Sequence, residues 1–143
     1  MTRTDTSALF ARDLTCQSLA IELDDVAEGR ACLRLRLTGS MVNGHGLAHG
    51  GFLFLLADAA FAYASNSHGP VAVAQGAQIT FLRPARAGDM LCARATERSR
   101  VGRHGVYDVT VSRDDGTVLA EFRGHSVFLP TPATSVDGGS DAD

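Results

Sequence analysis

His49-Gly50-Gly51-Phe52-Leu53-Phe54-Leu55-Leu56-Ala57-Asp58-Ala59-Ala60-Phe61-Ala62-Tyr63-Ala64 is the stretch on which the fold turns. It reads as a buried helix, running from about Gly50 to Ser67. A buried helix rarely carries a lone carboxylate, so Asp58 requires a reason. The helix begins at two glycines, where backbone N–H groups lack partners and the helix dipole favours negative charge. An anion-binding end and an acid on one element point to acyl chemistry.

Outward from this helix the periodicity changes to two. Upstream, Leu33, Leu35 and Leu37 point one way and Arg34 and Arg36 the other, which predicts a strand after Glu28-Gly29. Before it, Leu19–Val26 alternates with Leu19, Ile21 and Leu23 on one face, and Ser7–Thr15 forms a short first helix. The loop Asn43-Gly44-His45-Gly46 leads into the central helix, and the turn Ser67-His68-Gly69-Pro70 ends it. Downstream, Val71–Leu82 is a long strand whose face includes Ala77, Ile79 and Phe81, broken by Arg83-Pro84 and Ala87-Gly88-Asp89. Strands follow at Met90–Arg100, at Val106–Ser112 with Tyr107, Val109 and Val111 aligned, and at Thr117–Leu129. They are joined by turns at Gly102–Gly105 and Asp115-Gly116.

Two strands, one long helix and four more strands on short turns predict an α+β fold with an antiparallel sheet packed on the helix. Residues 1–129 form this single domain, and the Pro/Ser/Gly/Asp-rich residues 130–143 read as a disordered tail. One sheet over one helix leaves an exposed outer face and free edges, so oligomerisation is expected.

Composition narrows the function. The 143 residues carry a net charge of −3, which argues against nucleic acid as a partner. All 13 cations are arginine, a residue suited to bidentate phosphate contacts. The three cysteines, Cys16, Cys32 and Cys92, are odd in number and lack C-x-x-C spacing. They fit small buried residues in a reducing compartment. The N-terminus has no apolar signal region, and the longest apolar run is interrupted by Asp58 and shorter than the roughly 20 residues a bilayer needs. A cytoplasmic protein with no membrane partner is expected. No metal site stands out: the five histidines are scattered, and His45 and His49 lie in a glycine loop. There is no Gly-x-Ser-x-Gly elbow and no glycine-rich phosphate loop.

Several segments together carry a family resemblance: Met41-Val42-Asn43-Gly44-His45-Gly46, His49-Gly50-Gly51 and Leu56-Ala57-Asp58-Ala59-Ala60-Phe61-Ala62-Tyr63-Ala64. Phe81-Leu82-Arg83-Pro84 with Gly88-Asp89, Gly105-Val106-Tyr107-Asp108 and Phe122-Arg123-Gly124 complete the set. Over roughly residues 10 to 128 the chain resembles the phenylacetate-pathway (PaaI-type) acyl-CoA thioesterases of the hotdog fold, in which an antiparallel sheet wraps one long helix. The resemblance implies hydrolysis of aryl- or phenylacetyl-type CoA thioesters, hydroxyphenylacetyl included, with no cofactor because coenzyme A belongs to the substrate. It further implies that the Gly50 N–H polarises the thioester carbonyl and that Asp58 serves as nucleophile or as general base for water. Asn43 positions water or thioester, and His49 orients the loop. A homodimer with two composite sites, paired into a homotetramer, is also implied.

Helix geometry adds an independent constraint. Gly50 and Asp58 are eight residues apart, about 12 Å along a helix axis. One acyl carbon cannot touch both, so an antiparallel helix from a second protomer has to bring its own Asp58 to this Gly50. The bland alternatives stay open at this point. Asp58 can be a structural acid, His49 a loop brace, Asn43 a turn or cap residue, and the glycines plain loop and cap residues.

Substrate contacts are less defined. Gly51 joins the substrate-binding set beside Gly50. Arg83, Arg86, Arg100, Arg103, Arg123 and His125 are candidates for the coenzyme A phosphates. Related enzymes often carry a hydroxyl residue one turn beyond the acid or on the facing strand; here Ala62 follows Asp58, and the strand offers Gln75, Gly76 and Gln78. Gln75 or Gln78 could orient the water instead. Phe52, Phe54, Phe61 and Tyr63 either line an aryl pocket or belong to the core. The competing functions are an enoyl-CoA hydratase or dehydratase on the same fold, and a non-catalytic acyl-CoA-binding protein.

Overall fold

The computed structural model describes residues 4–130, so the expected disordered tail falls, apart from Pro130, outside the described residues. The elements in order are α1 (Thr6–Ala11), α2 (Leu14–Ser18), β1 (Glu22–Ala27), β2 (Arg30–Arg36), α3 (Gly50–Ser65), β3 (Ala72–Phe81), β4 (Met90–Val101), β5 (His104–Arg113) and β6 (Val118–Phe128). They form a six-stranded sheet in the order β1-β2-β4-β5-β6-β3, antiparallel throughout, with α3 across it. This is the hotdog architecture.

Several boundaries differ from expectation. The first strand begins at Glu22 rather than Leu19, because Leu19 closes the second helix and Ala20 turns the chain with a φ of 58°. The single N-terminal helix is two, because the Asp5 and Asp13 side chains each cap a helix of their own: Asp5 accepts from Ser7 and Ala8, Asp13 from Cys16. The central helix ends at Ser65 rather than Ser67. There the Asn66 amide donates to the Ala62 and Ala72 carbonyls while its oxygen accepts from the Ala72 N–H, so the helix end is tied directly to β3.

The sheet-facing side of α3 buries Leu53, Leu56, Ala57, Ala60, Phe61 and Ala64, at helical spacing. Strand alternation supplies the other half of the core, with Leu33 and Leu35 from β2, Leu91 and Ala93 from β4, and Val109 and Val111 from β5. Of the aromatic residues considered for a substrate pocket, Phe61 is 1% and Tyr63 2% exposed, so both are core. Tyr63 donates its hydroxyl to Asp13 at 2.9 Å and pins the N-terminal helices to α3.

Phe61 rests against a position where only glycine fits. A Cβ on Gly124 would meet three Phe61 ring carbons at 2.8 Å, and the ring is held by Tyr107 and Phe122. Gly124→Ala should therefore cost about 1–3 kcal/mol through overpacking. Gly76→Ala, with open space at its Cβ, should cost far less. Chemical denaturation of both variants checks this, and equal midpoints would refute it.

A buried polar cluster anchors the far end of α3. Glu97 accepts from Tyr107 Oη at 3.0 Å and pairs with His68 Nε2 at 2.6 Å. Burial raises the Glu97 carboxyl, but the hydrogen bonds from His68 and Tyr107 outweigh it and leave the group below its ordinary range. A carboxylate depressed in the folded state contributes stability above its unfolded pKa and loses it as pH falls through the folded one. Glu97→Gln should lower stability at neutral pH by about 1–3 kcal/mol and flatten the acid-side loss of stability below the ordinary 4.5. Urea titrations across the acid range test both the offset and the slope.

The half-buried cysteines depart from the expected core placement. Cys16 is 2% exposed, but Cys32 and Cys92 lie on the sheet face turned away from α3. Their strand neighbours Leu33 and Leu91 take the inward positions.

Candidate active site

The loop before α3 is folded by Asn43. Its side-chain oxygen accepts from the His45 N–H at 2.9 Å and the Leu47 N–H at 3.1 Å, while its own N–H donates to Leu47 O at 2.7 Å. This is the turn role weighed from sequence, and it leaves the amide NH2 as the donor the side chain can still offer. His49 is the residue before the first helical turn. Its N–H donates to Met41 O, and its exposed ring makes no capping hydrogen bond. Among the described residues, neither the Gly50 N–H nor the Gly51 N–H meets an acceptor. Two helix-start donors thus face outward, as an anion site requires.

A cleft of 420 Å³ opens over this helix end, lined by Asn43, Leu47, Gly50, Phe81, Arg83 and Ala85 among others. Phe81, the last residue of β3, lays its ring on the helix start: a Cβ on Gly50 would fall 2.7 Å from the ring's Cζ. The close contact is with the tip of a ring that is 51% exposed and can move aside, a contact that strand periodicity alone does not reveal.

Asp58 is absent from that cleft. It sits on a half-exposed stripe of α3 formed by Gly51, Leu55, Ala59 and Ala62, at helical spacing. It is half-buried, has no hydrogen-bond or ion-pair partner among the described residues, and its carboxyl is raised by burial. A carboxylate with no partner on an apolar stripe is costly unless something completes it.

The other candidate residues divide by sheet face. Arg83 borders the cleft, but its Nη1 donates to Val118 O at 2.6 Å, a strand-end brace. Arg86 stands beside the cleft through the Leu47–Arg86 bridge, and its exposed guanidinium has no carboxylate within ion-pair distance among the described residues. Because Ala77, Ile79 and Phe81 point inward, Gln78 points outward, next to Arg123, whose guanidinium is held in a bidentate pair by Asp108. Gln75 occupies the bulge of β3, where the register against β6 shifts. Arg100, Arg103 and His125 lie toward the far end of the sheet, engaged by Glu97, Phe128 O and His104 respectively. The structure therefore gathers Asn43, Gly50 and Arg83 into one cleft, with Arg86 alongside. Asp58, Gln75, Gln78 and Arg123 are left elsewhere.

The model of the thioesterase superfamily matches residues 45–120, from the loop through most of the sheet. The acyl-coenzyme A thioesterase PaaI of Escherichia coli strain K12 is 44% identical over 119 residues, spanning 83% of this chain and 85% of its own length. The chain belongs to the thioesterase superfamily. It is a PaaI-type hotdog thioester hydrolase. The structure of the E. coli PaaI protein from the phenylacetic acid degradation operon superposes with a TM-score of 0.86 at 41% identity, covering 90% of this chain and 93% of that one. A mutant of the phenylacetic acid degradation protein PaaI from Thermus thermophilus gives 0.78 at 38% identity, covering 82% and 100%. In this thioesterase no helix among the described residues is long and apolar enough to cross a membrane, and no group of three or more His, Cys, Asp or Glu side chains among them is placed to hold a metal.

Proposed function

We propose that this thioesterase hydrolyses aryl-acetyl-type CoA esters in a composite site, with the Gly50 N–H of one protomer polarising the carbonyl and Asp58 of a second activating the attack. The observation that carries this reading is the separation within one chain: among the described residues, a helix-start donor pair at the cleft meets no acceptor, and a half-buried carboxylate about 12 Å along the helix has no partner. An antiparallel second helix laid on the Gly51, Leu55, Ala59 and Ala62 stripe completes both ends at once, as two-fold symmetry requires. The free edge of β3 supports the same assembly. Val73, Phe81 and Leu82 on or beside it are 41%, 51% and 51% exposed, an apolar edge that β-proteins normally cover.

In this site the thioester carbonyl oxygen accepts from Gly50 N–H as the carbonyl carbon becomes tetrahedral, and Asn43 donates nearby. Asp58, kept basic by burial, takes the proton of the attacking water or attacks directly. Collapse expels coenzyme A as its thiolate and leaves the free acid. Arg86 is the arginine best placed to meet a phosphate, since Arg83 and Arg123 are already engaged. Gln75 and Gln78 both lie on the edge strand β3, Gln75 at its bulge, and either can orient the water. The phenylacetic acid context of the E. coli and T. thermophilus relatives supports an aryl-acetyl substrate.

Subunit mixing tests the composite site. Asp58→Asn and Gly50→Pro are each expected to lose most activity alone, but a mixed dimer contains one site with both native groups. Re-association of equal amounts should therefore recover up to roughly a quarter of wild-type activity. Mixtures as inactive as their parents, despite demonstrated exchange, would place both groups in one chain and refute the proposal.

A further inference from the structure

Outside the active site, the sheet face turned away from α3 carries two thiols in contact. Cys32 Sγ and Cys92 Sγ are 3.2 Å apart, from β2 and β4, 60 residues apart in sequence. The register pairs Cys32 with Arg94 and Arg34 with Cys92, so the thiols are diagonal neighbours across two hydrogen-bonded strands. Both are free and partly accessible, whereas Cys16 is 2% exposed on α2. We propose that Cys32 and Cys92 are a redox modification site, closing to an intrachain, interstrand disulfide when the enzyme meets a peroxide.

The sulfurs need to approach by about 1.1 Å to reach a bond of about 2.05 Å. The chemistry balances in two steps. A thiolate attacks hydrogen peroxide, forming an S–O bond, breaking O–O and releasing hydroxide. The second thiol then attacks the sulfenic sulfur, forming S–S, breaking S–O and releasing water. Two thiols and one peroxide give one disulfide and two waters, with both electrons passing from sulfur to oxygen. Arg94, on the same face, is the cation available to a thiolate here, since Arg34 is already paired with Glu22 and Asp24. Burial and the adjacent Cys92 thiol push Cys32 up to about 12, with Arg94 opposing. The resulting bridge spans strands far apart in sequence, and such a cross-link restricts the unfolded chain most.

The test uses the full chain, fully reduced, then treated with stoichiometric hydrogen peroxide, alkylated and digested without reductant. The expected result is a linked pair of Cys32 and Cys92 peptides and a fall from three alkylatable thiols to one. A higher urea midpoint that dithiothreitol reverses should accompany it. Cys16→Ser should behave like wild type, and Cys92→Ser should give no internal link while remaining folded and hydrolytic. Retention of all three thiols, separate sulfinic acids at Cys32 and Cys92, or links only between chains would each overturn the proposal.

Discussion

Asp58→Asn should lower kcat for acyl-CoA hydrolysis by about 10²–10⁴, the range over which a positioned acid–base group acts, while acyl-CoA binding survives. The substitution is nearly isosteric, and Asp58 makes no hydrogen bond or ion pair within its own chain among the described residues, so no structural partner is orphaned by the change. A structural acid would behave oppositely, with lost stability and a proportionate loss of activity. The measurement is thiol release from phenylacetyl-, hydroxyphenylacetyl-, benzoyl- and hexanoyl-CoA, with binding followed separately; the same panel ranks the substrates. If the variant hydrolyses at the wild-type rate, Asp58 is not the catalytic carboxylate. Burial raises this carboxyl, and only its ionised form can act. The acid limb of kcat/KM should accordingly lie above the ordinary aspartate value of 3.8.

Gly50→Pro should cost about 10²–10³ in kcat relative to Gly50→Ala, the usual worth of one oxyanion donor, or about 2.7–4 kcal/mol. Both substitutions place a Cβ against Phe81, so the steric disturbance is common to the pair. Only proline deletes the N–H. The backbone accommodates it: Gly50 opens the helix, where proline is well tolerated, and His49 already has the extended φ of −63° and ψ of 135° that a residue before proline adopts. Similar kcat values for the two variants would assign the carbonyl contact to another donor, such as Gly51 N–H or Asn43. Circular dichroism and the urea midpoint show whether the helix is intact in each.

Much of this was legible in the chain. Alternation is a strong signal when one face of a strand is buried, and Leu33, Leu35, Tyr107, Val109 and Val111 all occupy the core positions their spacing predicts. The helix start at Gly50 was equally clear, because two glycines before an apolar run leave few other readings. Boundaries were harder where a side chain rather than the backbone sets them. Asp13 divides the N-terminal helix, and Asn66 ends the central one by binding β3. Function was less legible where residue type and position part company. Gln78 and Arg123 looked suited to substrate, yet strand parity turns both outward, and Arg123 is satisfied by Asp108.

The strand–helix–strand order, the lone acid, the glycine that begins the helix and their spacing of eight residues can all be read along the chain. These follow from local physics: side-chain periodicity, glycine at a helix start, and a fixed rise per residue. Four facts needed the folded molecule: β3 closes the far edge beside β6, Phe81 covers Gly50, Asp58 faces away from the cleft with no partner among the described residues, and Cys32 meets Cys92. They depend on which strands pair and in what register. Register is a property of the whole sheet, set by burial summed over many residues, and no local stretch of the chain contains it.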